Sequence, residues 1–195
     1  YQESLAGIPK VDDELEDDNS VWLVPLIEIV ETTLSTVPLG TALELSQFGS
    51  LLSAIPPESM NEVSLAMINA VLDKETIETF DEGTLTRFFS IIDGLLQGGD
   101  DAVAESEQVR VCQMVYCFPT FEMLTTMRSY FGRGGPKRLQ YTLPTLIARA
   151  QALLESSTGQ RKKVFQFIHN TTSALVPVNA ALAFNFWLTS AHLAD

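Results

Sequence analysis

Two cysteines, Cys112 and Cys117, and two histidines, His169 and His192, are the side chains of this chain best suited to nucleophilic or metal chemistry. A thiolate beside an imidazole would make an acyl-transfer site, so a Cys/His pair assembled in space is the way this chain would act as a hydrolase. The spacing gives that reading no positive support. Neither histidine lies at a metal-type separation from another His or Cys, and a zinc site needs three or four convergent donors. Five residues apart in a helical pattern, the cysteines point in different directions, so reduced, packed thiols of a cytosolic protein are expected rather than a disulfide. Six carboxylates crowd into the seven residues from Asp12 to Asp18. Mobile and mutually repelling, they cannot hold the fixed separation that acid/base catalysis requires, and they read as a solvating tract. Gly132-Arg133-Gly134-Gly135-Pro136-Lys137 imitates a phosphate-binding loop. It lacks the Gly-Lys-Ser/Thr ending, no strand precedes it, and Pro136 has no N–H to offer a phosphate. These residues call for no catalytic group, no cofactor and no metal, and the chain reads as a non-enzyme.

The elements that carry these residues follow from composition and pattern. The chain has 195 residues, is 46% hydrophobic and carries a net charge of −13, so it folds and is not a nucleic-acid binder as a whole. Charge is unevenly placed. From Arg128 to Lys163 lie eight of the twelve Lys and Arg residues, opposed only by Glu155. Arg133, Lys137 and Arg138, on the turn that runs from Gly132 to Arg138, are expected to be exposed and are the candidate contact for an acidic partner. A turn that merely sets helix spacing accounts for them equally well.

Helical patterns of roughly 12 to 20 residues alternate with short joints from Ser20 onward. Residues 1–19 read as an acidic flexible lead-in and residues 20–195 as a helical-repeat segment. Thr41-Ala42-Leu43-Glu44 and Ser59-Met60-Asn61-Glu62 fit the capping box, and Pro56-Pro57 marks the joint before the second. Leu85, Phe88, Phe89, Ile92, Leu95 and Leu96 form one apolar stripe ending near Gly98-Gly99. Helices are predicted over 105–118, from Phe121 to Phe131, and over 143–154 with Pro144 in the first turn. Gly134 and Gly135 are expected to stop the preceding helix through a left-handed backbone.

From Val164 to Ala194 no Asp, Glu, Lys or Arg occurs. Its polar residues and the break at Pro177 and Asn179 exclude a membrane span, leaving two buried helices, the second apolar enough to be sandwiched between neighbours. Asn170-Thr171-Thr172 is a chance glycosylation sequon in mid-helix. The methionines fall on helical stripes and serve packing. Eight or nine helices in antiparallel pairs of roughly 40 residues give an all-α solenoid of HEAT-like hairpins with no sheet.

Four ordered blocks refine this reading. They are Ser106-Glu107-Gln108-Val109, then Pro119-Thr120-Phe121-Glu122-Met123-Leu124, then Gly134-Gly135-Pro136-Lys137-Arg138-Leu139 leading into Tyr141-Thr142-Leu143-Pro144-Thr145-Leu146-Ile147. The fourth is Lys162-Lys163-Val164-Phe165-Gln166 with Asn170-Thr171-Thr172-Ser173-Ala174-Leu175. In this order they resemble the middle of the large α-solenoid subunit of retromer, the vacuolar protein sorting 35-type family. Met60 to Leu96 resembles it more weakly, and no likeness is seen before Ser20.

The resemblance implies a scaffold subunit of an endosomal cargo-recycling coat, cytoplasmic and peripheral on the membrane, serving endosome-to-Golgi retrieval. It implies arrestin-like and metallophosphatase-like partner subunits, and membrane contact through adaptors. The Pro-Arg-Leu-Tyr-Leu-Met type motif that holds the arrestin-like partner is not found in this chain, and the metallophosphatase-binding part is expected beyond Asp195. The chain therefore reads as a middle piece of a longer polypeptide. An unrelated helical-repeat adaptor in tethering or nuclear transport is the alternative within the binding class, and the Cys/His hydrolase the alternative outside it.

Overall fold

The computed structural model describes residues 19–73, 80–97, 105–156 and 159–194. Among them are ten α-helices and two short 3-10 turns, with no strand. The first three helices, α1 (Asn19–Thr36), α2 (Leu39–Glu44) and α3 (Ser46–Ser53), lead into a 3-10 turn at Pro57–Ser59 and α4 (Met60–Leu72). Next come α5 (Glu82–Gln97), α6 (Glu105–Met114) with a 3-10 turn at Val115–Cys117, and α7 (Phe121–Phe131). The series ends with α8 (Pro136–Ser156), α9 (Arg161–Leu175) and α10 (Ala180–Ala194). The acidic tract from Asp12 to Asp18 and the glycine pair at 98–99 lie outside the described residues.

From α4 onward the helices form two layers. One layer runs α4, α6, α8, α10 and the other α5, α7, α9, each helix packing on the next of its own layer, with α4 on α5, α7 on α8, and α9 on α8 and α10 across the layers. Substantial contacts there never skip more than one helix, which is the near-neighbour pattern of a solenoid. The fold class expected from the sequence is the one observed.

The apolar stripes explain the stacking. All six members of the α5 stripe are buried, as are Val164, Phe167, Ile168, Thr171 and Leu175 of α9. Phe118 lies against Phe80, Phe88 and Phe89, at ring separations of 6.3, 6.2 and 5.8 Å, joining the end of α6 to α5.

The helix ends show where local signals succeed. Thr120 caps α7, its hydroxyl accepting from the Met123 N–H at 3.3 Å, and Asn179 caps α10 by accepting from Leu182 at 3.0 Å. The two capping boxes are corrected. Thr41 lies inside α2, which starts at Leu39 behind Pro38, and α2 ends at Glu44 because Leu45 is extended (φ −73°, ψ 123°). Ser59 does precede α4, but it closes the 3-10 turn and its hydroxyl makes no cap bond. The extra break at Leu45 is one reason the count exceeds eight or nine.

Asp81 opens α5, its Oδ1 accepting from the Thr84 N–H at 2.6 Å. That bond, reinforced by the Thr84 side chain, holds the Asp81 carboxyl below its ordinary 3.8. A carboxyl depressed in the native state contributes stability above its unfolded pKa and loses it as the pH falls through the lower native value. Asp81→Asn keeps an acceptor for the cap but removes the titration. Its denaturation midpoint is expected to fall less than the wild-type midpoint as pH drops below about 4, measured by urea unfolding across the acid range. Equal acid slopes would contradict the assignment.

Candidate functional site

The turn between α7 and α8 is where the sequence placed its contact residues. Gly132 N–H bonds to the Arg128 carbonyl at 3.0 Å, and Gly134 N–H to that of Phe131 at 3.1 Å. Neither glycine has a left-handed φ, so the expected backbone reason fails at Gly134 and another takes its place. A Cβ built on Gly134 would stand 3.2 Å from the Leu96 carbonyl oxygen and 3.3 Å from that of Phe131. The glycine is there for close approach to the end of α5. Gly134→Ala is expected to cost about 1–2 kcal/mol, because backbone oxygens cannot swing aside. A urea midpoint unchanged from wild type would refute this.

Pro136 is the first residue of α8, not a barrier in front of a later helix. Its missing N–H is harmless at that position. Pro144, expected in a first turn, therefore lies well inside α8 and leaves the Gln140 carbonyl without its usual partner. Burial of Thr142 and Leu143 before the proline, and of Leu146 and Ile147 after it, anchors this part of the helix.

The three predicted contact residues part company. Arg133 is exposed, with Nη1 3.4 Å from Asp93 of α5 and its guanidinium 4.7 Å over the Tyr130 ring. Tyr130 in turn stacks on Phe89, with ring centres 5.2 Å apart. Lys137 is exposed. Arg138 is only 6% exposed, against the expectation, because α8 starts early enough to turn this side chain inward toward α6. Burial pushes its guanidinium below the usual range, an effect that the Glu107 carboxylate of α6 only partly offsets. Arg138 is therefore a buried charge within the α6–α8 layer. No sequence signal ties it to Glu107, thirty-one positions earlier.

Elsewhere in the basic stretch Arg128 and Arg149 are half-buried, while Arg161, Lys162 and Lys163 are exposed. Arg128 Nε donates to the Thr171 hydroxyl at 3.3 Å, joining α7 to α9. Arg149 Nη2 donates to the Phe118 carbonyl at 3.3 Å, and Arg161 Nη2 to the Leu193 carbonyl near the end of α10 at 2.9 Å. Arg87, outside this stretch, does the same to Leu43 at 3.3 Å, near the end of α2. Carbonyls at helix ends lack intrahelical partners, so long cationic side chains reaching from another helix both satisfy them and oppose the helix dipole.

The chemistry-bearing residues do not converge. Cys117 is buried in the 3-10 turn, where desolvation raises its thiol pKa and Arg149 only partly counters this, the reverse of what a nucleophile requires. Cys112 is half-buried and engages Gln108 Nε2 at 3.6 Å. His169 and His192 are exposed on α9 and α10, and among the described residues no hydrogen bond joins either to a cysteine. No cluster of three His, Cys, Asp or Glu side chains able to hold a metal occurs among the described residues. No described helix is long and apolar enough to cross a membrane. Thr171 and Thr172 of the sequon are buried in α9.

The family model described as Vacuolar protein sorting-associated protein 35 matches residues 3–195. The chain belongs to the vacuolar protein sorting-associated protein 35 family. The match begins well before Ser20 and so extends the likeness beyond the blocks from Ser106 onward. Vacuolar protein sorting-associated proteins 35A and 35B of Arabidopsis thaliana are 23% and 25% identical, each over 98% of this chain. Vacuolar protein sorting-associated protein 35 of Dictyostelium discoideum is 23% identical over 78% of it. The chain spans about a quarter of these relatives, 27% of each Arabidopsis protein and 24% of the Dictyostelium one. No solved structure matches the chain.

Proposed function

We propose that the chain is a non-catalytic scaffold segment of a retromer-like coat that returns cargo from endosomes to the Golgi, working on the cytoplasmic face of endosomal membranes. The observation that carries this is a family match over nearly the whole chain, on a helical stack that from α4 onward forms two layers with substantial packing between near neighbours. Such a stack bends little, so it holds bound subunits at set distances; its mechanism is geometry rather than turnover. The partners are an arrestin-like and a metallophosphatase-like subunit, with membrane reached through adaptors. Of the turn residues, Lys137 and Arg133 are exposed where an acidic partner could reach them, whereas Arg138 belongs to the interior.

The experiment is affinity isolation of the protein from its own cells, followed by mass spectrometry. Recovery of arrestin-like and metallophosphatase-like chains in stable ratio is expected. Recovery of tethering or nuclear-transport components in their place would overturn the reading. Lys137→Glu is expected to weaken one of those associations while leaving the fold intact, and unaltered recovery would remove the turn from the contact surface.

A further inference from the structure

Arg128, in the last turn of α7, differs from the other arginines that join helices. Arg87, Arg149 and Arg161 each commit a terminal nitrogen to a backbone carbonyl, and Arg133 has Asp93 and the Tyr130 ring. Arg128 uses Nε alone, which donates to the Thr171 hydroxyl at 3.3 Å. Its Nη1 and Nη2 have no acceptor among the described residues, and neither atom is sealed from water. Burial pushes this guanidinium below its usual range with no carboxylate to offset it, whereas Arg138 has Glu107.

The backbone leaves room for this arrangement. A Cβ built on Gly132 would stand 2.6 Å from Arg128 Nη1, so the guanidinium lies where only a glycine lets it lie. The helix dipole accounts for a cation at the end of α7, but it requires neither the glycine nor the tie to Thr171. With Nε fixed, Nη1 and Nη2 present an end-on fork of parallel N–H donors that matches the two oxygens of a carboxylate. A half-desolvated cation gains more from such a pairing than a fully hydrated one. A phosphate dianion is commonly met by a cluster of cations, and Arg133 is turned toward Asp93 of α5 rather than toward α9.

We propose that Arg128 anchors the acidic partner of this turn by taking an Asp or Glu carboxylate of that protein between Nη1 and Nη2, beside the junction of α7 with α9, which rests on the reading of the turn as an acidic contact. Gly132 keeps the fork in position. Arg133 and Lys137, exposed on the same turn, supply the longer-range attraction.

The test is fluorescence anisotropy of a labelled oligoglutamate peptide titrated with the full chain at low salt, after circular dichroism has verified the fold of each variant. Arg128→Met is expected to weaken binding about tenfold. Arg128→Lys keeps the charge without the fork and is expected to lose about fivefold. Gly132→Ala keeps the arginine but displaces Nη1, so a loss of about threefold or more is expected even if the Met variant fails to fold. Arg133→Met is expected to change affinity under about twofold. Affinities for Gly132→Ala and Arg128→Lys equal to wild type overturn the fork. If Lys137→Glu abolishes binding while Arg128→Met leaves it within about twofold, Arg128 is not the anchor, although the turn remains the contact. Absence of wild-type binding at about 1 mM chain overturns the anchor and the acidic contact together. A phosphoserine peptide of equal charge that binds more than about tenfold tighter overturns the carboxylate as the ligand.

Discussion

Phe118→Ala is expected to lower stability by about 3–5 kcal/mol, the usual cost of emptying a fully buried aromatic site. Phe118 is 0% exposed and its ring lies within 6.3 Å of the rings of Phe80, Phe88 and Phe89. Its carbonyl also accepts from Arg149 of α8, so the segment it anchors ties α5, α6 and α8 together. A domain is commonly stable by only 5–15 kcal/mol, roughly, so this one change removes a large part of the reserve. In a stack of near neighbours the damage stays local. Urea unfolding should show an earlier transition, and hydrogen exchange should accelerate in α5 to α8 more than in α9 and α10. Phe118→Leu is expected to restore more than half of the loss. A shift of under about 1 kcal/mol for the alanine variant would mean that the aromatic cluster does not hold these layers together.

Arg138→Glu is expected to cost about 3–5 kcal/mol, whereas Lys137→Glu, one residue away, costs under about 0.5 kcal/mol. The contrast comes from burial: Arg138 is enclosed with Glu107 nearby, and a glutamate in its place would be a buried carboxylate facing another, only partly screened by water on the Glu107 side. Lys137 faces solvent. Arg138→Met supplies similar bulk without charge and is expected to recover a good part of the loss, since Glu107 is half-buried and can still be hydrated. Thermal and urea midpoints of the three variants check the ranking. Equal stabilities for the two charge reversals would return Arg138 to the surface role first expected of it. Partner binding by Arg138→Glu should be judged only after its fold has been measured, because an unfolded α6–α8 layer would mimic a lost contact.

The element types were legible because they depend on residues three and four apart. The α5 and α9 stripes, the joint at Pro56-Pro57, the helix from Phe121 to Phe131 and the division at Pro177 and Asn179 all follow from short-range spacing, and all stand in the structure. The same locality misled at Thr41, where a capping pattern lies within a helix already begun behind Pro38, and at Pro144, whose break is outweighed by burial around it. Of the turn, sequence gives the position and the charge, but it gave the wrong reason for Gly134 and the wrong surroundings for Arg138.

Read alone, the chain specified an all-α repeat stack, a basic second half, an absence of spaced catalytic or metal motifs, and a likeness to a family that the comparison then extended to residues 3–195. Tertiary packing decided which of those charges meet solvent. It turned Arg138 toward Glu107 and directed Arg128, Arg149 and Arg161 onto groups of other segments, and among the described residues it buries only Ala183 of α10, where the sequence led us to expect a helix sandwiched between neighbours. The division has one physical cause. Helix formation is settled by neighbours along the chain, whereas the desolvation of a given side chain depends on which helix, tens of residues away, arrives to cover it.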